Sequence, residues 1–357
     1  MGADVSCYES GFRRLWAVVA AAPLLTMTAV AQEAPPQPVG EAPPPQTEGE
    51  PDVAAVFEER GLLTPKGRWV VEPSLSYSHS TATTVAIEGF TIIPALAVGL
   101  IDITEVQRDT VTAAIAARRG ITDRLEVGIK VPYVWREESV RSREVLDGSE
   151  MDVVSRSDGH GLGDVEFSIH FQFNRAVTGS PFFIGNLRVK SRTGTSPFDV
   201  ERRDVMEDGQ RVGVVYEEQP TGSGFWAAQP SVTMIYPTEP AVLYWNISYL
   251  WNVERDLGGN EGSIDPGNAV GMSLGMGISL NNRTSVSFGY DHNVVNRTRR
   301  EHDVGLDPVF ERVQVGTFLW GLSHRFSART TLNFSLGMGV TSAAPDMQLG
   351  VRLPMRF

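Results

Sequence analysis

Residues 163–173 have the sequence GDVEFSIHFQF. Apolar side chains occupy the odd positions from Val165 to Phe173, and polar or charged side chains occupy the even positions from Asp164 to Gln172. Because successive side chains of a β-strand point to opposite faces, this alternation predicts a strand with one wholly apolar face. Lipid is a partner that fits such a face.

The same alternation recurs along the chain, at 124–136, 243–252, 270–280 and 332–340. The runs have nearly the length of about 9 to 11 residues that a tilted strand needs to cross a bilayer. The polar faces are rich in Gly, Ser, Asn and charges of both signs, which is typical of a narrow polar lumen. The sequence therefore predicts an all-β fold, a transmembrane antiparallel β-barrel over residues 67–357.

The last eleven residues, 347–357, alternate in the same way and end at Phe357. A strand at this position must pair with the first strand, because lipid does not tolerate an open sheet edge. The segment resembles the closing strand of bacterial outer-membrane barrels, whose terminal aromatic residue is read by the assembly machinery. The resemblance implies that Phe357 is an assembly signal.

The N-terminal residues predict export. Arg13 and Arg14 precede the apolar run from Leu15 to Val30, and Ala29-Val30-Ala31 has the small-residue form of a signal-peptidase site. We predict a cleaved signal peptide at 1–31, with a buried or membrane-spanning helix as the alternative. Since Cys7 is the only cysteine, the mature chain has no disulfide and no cysteine-ligated metal.

Two short segments separate the predicted signal peptide from the barrel. Residues 32–51 are rich in Pro and Glu and predict an extended periplasmic tether. In residues 52–66, Asp52 precedes a short apolar run and predicts a capped N-terminal helix with a lead-in to the first strand.

Composition excludes several functions. The net charge of -12 disfavours nucleic acid as a partner. No run of 18 or more apolar residues follows the signal segment, so the mature chain contains no predicted transmembrane helix. The six histidines lack ligand spacing, and no glycine-rich phosphate loop opens a helix, so we predict neither a metal nor a cofactor.

Five tight connections predict hairpins at 120–123, 174–180, 237–239, 281–283 and 327–329. Longer polar stretches lie between them, at about 137–162, 193–225, 254–267 and 293–310. Short turns that alternate with long loops are typical of outer-membrane barrels, with the turns periplasmic. The five hairpins supply ten strands, and the first strand, 68–79, and the closing strand bring the predicted number of strands to twelve. The apolar stretch 84–105 either extends the first hairpin or adds two strands, for fourteen.

Three motifs carry a family resemblance. They are the sequence from Arg119 to Val134, RGITDRLEVGIKVPYV, the sequence GLGD at 161–164, and GLLTPKG at 61–67. The chain resembles the outer-membrane proteins grouped as transporters of the phenol-degradation meta pathway. The resemblance implies a barrel over residues 61–357 and a small hydrophobic or aromatic solute.

Strand alternation predicts which charged side chains line the lumen. The candidates carry both signs and are Glu72, Arg118, Glu126, Lys130, Arg136, Asp164, Glu166, His170, Arg188, Lys190, Asp291, Arg352 and Arg356. Such a track would pass a solute or ion over several weak sites. Alternatively, it packs a narrow barrel closed, since small barrels are filled by side chains.

Other features refine these predictions. The loop at 193–225 is either an inward-folded gate or a solvated surface loop whose carboxylates meet lipopolysaccharide through divalent cations. Phe182 and Ile184 predict an apolar patch inside the lumen. Aromatic residues near strand ends predict interfacial girdles against membrane lipid: Trp69, Tyr133, Trp135, Tyr236, Trp251 and Tyr290.

Three functions remain at this point. The first is an outer-membrane channel or transporter for small solutes, and the second is a closed structural or surface-interaction barrel without transport. The third is an outer-membrane hydrolase, suggested by the G-x-S-x-G pattern at 271–275. That pattern belongs on a strand-to-helix turn, whereas here it lies inside an alternating strand. We therefore predict a transporter that is not an enzyme, located in the outer membrane.

Overall fold

The computed structural model describes residues 63–88, 100–146, 149–174, 180–207, 210–238, 241–258, 262–301 and 312–357. The predicted signal peptide and tether lie outside these residues, as does the predicted helix up to residue 62. The described part of the lead-in, Leu63 to Lys66, is not helical. Within the described ranges, no helix is long and apolar enough to cross a membrane.

The described residues form β-strands joined by turns and loops. The strands are β1 (Trp69–Glu88), β2 (Leu100–Thr122), β3 (Leu125–Leu146), β4 (Ser149–Leu162), β5 (Glu166–Gln172), β6 (Phe182–Lys190), β7 (Arg202–Glu207), β8 (Gln210–Tyr216), β9 (Ala227–Pro237), β10 (Ala241–Asn252), β11 (Arg255–Asp256), β12 (Ser263–Asp265), β13 (Ala269–Asn281), β14 (Thr284–Val295), β15 (Arg299–Glu301), β16 (Val313–Arg325), β17 (Thr331–Gly339), β18 (Met347–Arg352) and β19 (Met355–Arg356).

The main sheet closes into an antiparallel barrel of twelve strands. β4 and β5 together supply one of these strands, since both pair with β3, and β19 continues β18 along β1. Closure occurs where β18 pairs with β1, at Ser74↔Arg352 through His79↔Met347. Phe357 extends this seam, because its N–H donates to Trp69 O at 2.8 Å. The prediction of a twelve-stranded barrel with a C-terminal closing strand is thus confirmed.

Alternation decides which side chains face outward. In β13, Val270, Met272 and Leu274 are exposed by 42 to 48%, whereas Ser273 between them is exposed by 4%.

In β2 the outward apolar run lies between Arg119 and Asp109. These residues are about 33 Å apart along the strand, or about 25 Å at the usual strand tilt, which is the height of the apolar band of a membrane barrel.

Two predicted boundaries are corrected. Residues 137–162 are not a loop, because β3 continues to Leu146 and pairs with β4 along its whole length. In the sequence of this hairpin polar residues occur at both odd and even positions, so the apolar period of two is lost although the strand continues. The strand predicted at 163–173 begins only at Glu166, where pairing with β3 resumes beyond Pro132, a residue that has no N–H to donate.

The first hairpin is longer than the predicted strand at 68–79. The pairing of β1 with β2 extends to Glu88↔Leu100. Residues 84–88 and 100–105 therefore lengthen this hairpin, which is one of the two predicted alternatives, and do not add two strands. The tight hairpins at 120–123, 281–283 and 327–329 join β2 to β3, β13 to β14 and β16 to β17.

Tyr244 packs across two inward-facing glycines, Gly275 of β13 and Gly289 of β14. A Cβ atom at Gly275 would lie 2.1 Å from Tyr244 Oη and 2.4 Å from Phe288 O. Since Tyr244 is buried in an apolar cluster, it cannot swing away. We expect Gly275→Ala to lower the free energy of unfolding in detergent micelles by about 1–3 kcal/mol, measured by denaturant titration.

Gly161→Ala is the matched control for this substitution. Gly161 also faces the lumen, but a Cβ atom there would lie 3.6 Å from Thr221 Cγ2, an ordinary contact. Its effect should stay within about 0.5 kcal/mol. Equal losses for the two variants would contradict the packing of Tyr244 described above.

Candidate functional site

Charged side chains form a first network inside the barrel, next to the closing seam. Glu72 of β1 accepts from Arg118 of β2 at 2.9 Å and lies 3.7 Å from Arg352 of β18. Arg118 also lies 3.9 Å from the buried Glu126 of β3. Because Glu72 joins the first strand to the last, this network connects the two sides of the seam.

A second network lies on the neighbouring strands β3, β5 and β6. Glu166 is 3.5 Å from both Lys130 and Arg188. Arg188 also donates to Gln229 Oε1 at 2.6 Å. Adjacent strands thus present alternating charges on the same face, which is the arrangement that stabilises cross-strand pairs.

Asp164 lies at the break between β4 and β5 and holds a loop. The loop is the segment 191–226, which connects β6 to β9 and contains the hairpin β7–β8. Asp164 accepts from Gly194 N at 3.1 Å, Ser223 N at 2.9 Å and Ser223 Oγ at 2.8 Å, and it pairs with Lys190 at 3.6 Å. Its side chain is 3% exposed, so these donors replace water completely.

The loop 191–226 packs on the inner face of the barrel wall. Arg136 donates to Pro220 O at 2.7 Å, and Gln219 donates to Ser157 Oγ at 2.8 Å. A Cβ atom at Gly159 would lie 2.1 Å from Gln219 O, so only glycine permits this approach. Gly194 and residues 219–223 of the predicted 193–225 loop thus contact inward-facing residues of the wall, as in the inward-folded alternative.

Imidazole, amide and hydroxyl side chains form a belt across the lumen faces of β5, β6, β9 and β10. His170 Nδ1 lies 2.8 Å from Asn186 Oδ1, and the Asn186 amide donates to Ser231 and Thr233 at 3.1 Å. Asn246 donates to Thr233 Oγ1 at 2.7 Å. The belt supplies many weak hydrogen-bonding groups and no isolated strong one.

A cavity of about 650 Å³ lies at the turn end of the barrel. One part of its wall is charged and contains Glu72, Arg118 and Lys130. Another part is apolar and contains Ile184 and Ile235, which form a buried cluster with Tyr244. A volume of this size accommodates a small organic molecule.

The described lead-in enters this end of the barrel. Leu63 packs against the cluster of Ile184, Ile235 and Tyr244, and Thr64 N donates to Glu126 Oε2 at 2.7 Å. Lys66 forms an isolated β-bridge with Gly120. A Cβ atom on Gly120 would lie 2.2 Å from Pro65 O, so the lead-in lies directly against this glycine. The segment before β1 therefore narrows the turn-end mouth.

The predicted lumen residues occupy four places. Seven belong to the two ion networks: Glu72, Arg118, Glu126, Lys130, Glu166, Arg188 and Arg352. Three belong to the contacts that hold the loop 191–226: Asp164, Lys190 and Arg136. His170 and Asp291 form hydrogen bonds with neighbouring polar side chains, and Arg356 lines the cavity. Asp291 lies apart from the networks and accepts from Ser273 Oγ at 2.6 Å.

The predicted apolar patch and one further ion pair complete the lumen. Ile184 is buried, and Phe182 packs against its cluster. The sequence analysis missed the inward pair Arg108–Glu138, in which Arg108 Nε donates at 2.8 Å. Both residues continue the even-numbered inward positions of β2 and β3, so the alternation could have identified them if it had been followed past residue 137 in β3 and back from Arg118 to residue 108 in β2. No comparable signal marked Leu63.

Solved structures share this architecture. An outer membrane channel from Pseudomonas putida F1 superposes with a TM-score of 0.52 at 15% identity, over 84% of this chain and 99% of that chain. The translocator domain of the autotransporter NalP from Neisseria meningitidis has a TM-score of 0.42 at 7% identity, over 85% of this chain and 91% of that chain. The Ralstonia pickettii toluene transporter TbuX has a TM-score of 0.41 at 11% identity, over 85% of this chain and 93% of that chain. The first of these likenesses establishes the fold.

One family model matches the chain. It is described as "Putative MetA-pathway of phenol degradation" and covers residues 215–357. The match lies C-terminal to the motifs from which the sequence analysis predicted this resemblance, and it confirms the prediction. The described residues therefore form a closed antiparallel β-barrel, the fold of that channel, and residues 215–357 match the family model for the MetA pathway of phenol degradation.

Proposed function

We propose that this protein is an outer-membrane channel for small solutes, hydrophobic or aromatic compounds among them. The observation that carries the proposal is the lumen of a closed barrel, which combines ion networks, a polar belt and a cavity of about 650 Å³. Several weak polar contacts in series let a solute exchange water for protein groups and still leave. The apolar cluster of Ile184, Ile235 and Tyr244 supports the hydrophobic part of the solute range.

The location and the other partners belong to the same proposal. A signal peptide at 1–31 would direct the chain through the inner membrane, and Phe357 would be read by the outer-membrane assembly machinery. The outward apolar band would contact membrane lipid, and the long hairpins beyond it would meet lipopolysaccharide. Exposed Trp69, Trp135 and Trp251 on the outer face support interfacial anchoring.

Single-channel recording tests the proposal. The refolded mature protein, inserted in a planar lipid bilayer, should give steady current steps. Arg188→Ala and Lys190→Ala should each change the step size, because both side chains belong to the lumen contacts of β6. Arg283→Ala, in the exposed turn between β13 and β14, is the control and should leave the step size unchanged.

A closed structural barrel is the second candidate. Two observations favour it: Leu63 packs inside the turn end, and the loop 191–226 packs on the inner wall at the other end. A folded and inserted barrel without current steps would support this candidate and contradict the channel.

A further inference from the structure

The two ends of the barrel differ in the sign of their exposed charges. At the turn end, the exposed charged residues that the structure describes are five cations and one carboxylate: Lys66, Arg68, Arg119, Arg283, Arg329 and Asp123. At the loop end, nine carboxylates and five arginines are exposed within the same described ranges: Glu137, Asp158, Asp199, Glu201, Glu217, Glu218, Glu254, Asp256 and Asp346, with Arg156, Arg192, Arg297, Arg299 and Arg312. The turn end is therefore positive, although the whole chain carries a net charge of -12.

Strand β2 shows this difference at the two boundaries of the apolar band. Arg119 lies at the turn-end boundary of its outward face, and Asp109 lies at the loop-end boundary. Protein groups occupy Asp109, because Tyr77 Oη donates to it at 2.6 Å and His79 Nδ1 lies 2.8 Å away. Among the described residues, no ion pair or hydrogen bond occupies the guanidinium group of Arg119. An anion at the turn-end boundary therefore meets a cation that is free to bind it.

Aromatic rings on the outer face hold two arginines at the turn-end boundary. The guanidinium carbon of Arg119 lies 5.1 Å from the centre of the Trp69 ring, and that of Arg124 lies 5.3 Å from the centre of the Phe171 ring. Trp69 and Phe171 are exposed by 43% and 38%. A guanidinium group over a ring keeps its N–H groups in its own plane, where they can donate to an anion.

Backbone carbonyl groups fix Arg124 further. Its Nε donates to Gln172 O at 3.0 Å, and its Nη2 donates to Phe173 O at 3.2 Å. These bonds use two of the five guanidinium donors, so three remain for a ligand. Because the fork of donors is already oriented, binding a phosphate group costs little further side-chain entropy.

Apolar side chains continue from these arginines toward the middle of the band. Arg119 pairs with Val127 of β3, and the next outward pair is Ala117 with Ile129. Ile115 and Ile129 are exposed by 61% and 40% on the outer face. Ile115 lies four residues, about 13 Å along the strand, from Arg119. This is within the about 15 Å that the acyl chains of one leaflet span.

We propose that the outer surface at the turn end binds acidic phospholipid, with lipid phosphate groups at Arg119 and at Arg124 and acyl chains against Ile115 and Ile129. The loop end does not complement such a lipid, because carboxylates outnumber cations among its described exposed residues and repel a phosphate group. The inference concerns the outer surface of the barrel. It therefore holds whether or not the lumen conducts.

The experiment counts lipids bound to the refolded mature protein. The protein in detergent micelles is titrated with dioleoyl phosphatidylglycerol or with dioleoyl phosphatidylcholine, which has the same acyl chains and no net charge, and bound lipid is counted by native mass spectrometry. The dissociation constant for phosphatidylglycerol should be about fivefold or more below that for phosphatidylcholine, the factor for one basic side chain at an anionic lipid surface. Inorganic phosphate, which lacks acyl chains, should not displace phosphatidylglycerol at equal concentration.

Substitutions assign the preference to this surface. Arg119→Gln should weaken phosphatidylglycerol binding about fivefold and leave phosphatidylcholine unchanged, a selective effect that a general loss of structure would not produce. Arg119→Lys keeps the charge and should restore most of the preference. Arg124→Gln should act in the same direction as Arg119→Gln. Arg156→Gln, at an exposed arginine of the loop end, is the matched control and should keep the wild-type constants.

The outcomes separate this inference from the channel proposal. Equal constants for the two lipids would overturn it, even in a barrel that gives current steps. A silent barrel that keeps the preference, dependent on Arg119, would overturn the channel and support the lipid surface. A preference that persists when both arginines are replaced by glutamine would overturn the assignment to this surface. Lipid A that displaces phosphatidylglycerol at a lower concentration would make lipopolysaccharide the occupant and overturn the proposed one.

Discussion

Asp164→Ala is expected to raise the single-channel conductance by about a factor of two or more. Asp164 holds the loop 191–226 on the inner wall through Gly194 N, Ser223 N and Ser223 Oγ, and it neutralises Lys190. Removing one member of such a buried pair costs about 3–5 kcal/mol, enough to release the loop from its packed position. Recordings on the purified variant in planar bilayers measure the effect.

Asp199→Ala is the matched control for the loop. Asp199 lies in the same segment and also contacts an arginine, Arg255 at 3.8 Å, but its side chain is 62% exposed. An exposed pair of this kind contributes about 0–1 kcal/mol, so the conductance should stay at the wild-type value. An unchanged conductance in folded Asp164→Ala protein would show that the loop does not limit the current.

Glu72→Gln is expected to lower the free energy of unfolding by about 3 kcal/mol. Glu72 lies between Arg118 and Arg352, and the substitution keeps its shape while it removes the charge that compensates both. Since Arg352 belongs to the closing strand β18, the loss falls on the seam of the barrel. Guanidinium unfolding in micelles measures the free energy, and the temperature at which the folded band disappears in gel electrophoresis gives an independent readout.

Glu217→Gln tests whether the effect depends on the seam. Glu217 is an exposed carboxylate at the end of the β7–β8 hairpin, and its loss should change the free energy of unfolding by less than about 0.5 kcal/mol. Equal changes in the two variants would contradict a special role for the network around Glu72.

Local pattern predicted most of the membrane part. The alternation in Phe167, Ile169 and Phe171 identified an outward face, and these side chains are exposed by 38 to 47%. The same rule identified Glu72, Glu126 and Glu166 as inward, and all three are buried. It failed at 137–162, where the strands continue but polar residues occur at both odd and even positions of the sequence, so that no apolar period of two remains to mark them.

The sequence by itself determined the fold class, the closing strand and the lumen face of the strands in which apolar and polar residues alternate, because each follows from a period of two within one segment. Only the tertiary structure decided that the loop 191–226 folds inward, that Leu63 packs inside the barrel and which charges pair. The deciding contacts join residues far apart in the chain: Thr64 and Glu126 are 62 residues apart, and Asp164 and Ser223 are 59 apart. Such contacts depend on how the closed barrel brings strands together, and they leave no local period in the sequence.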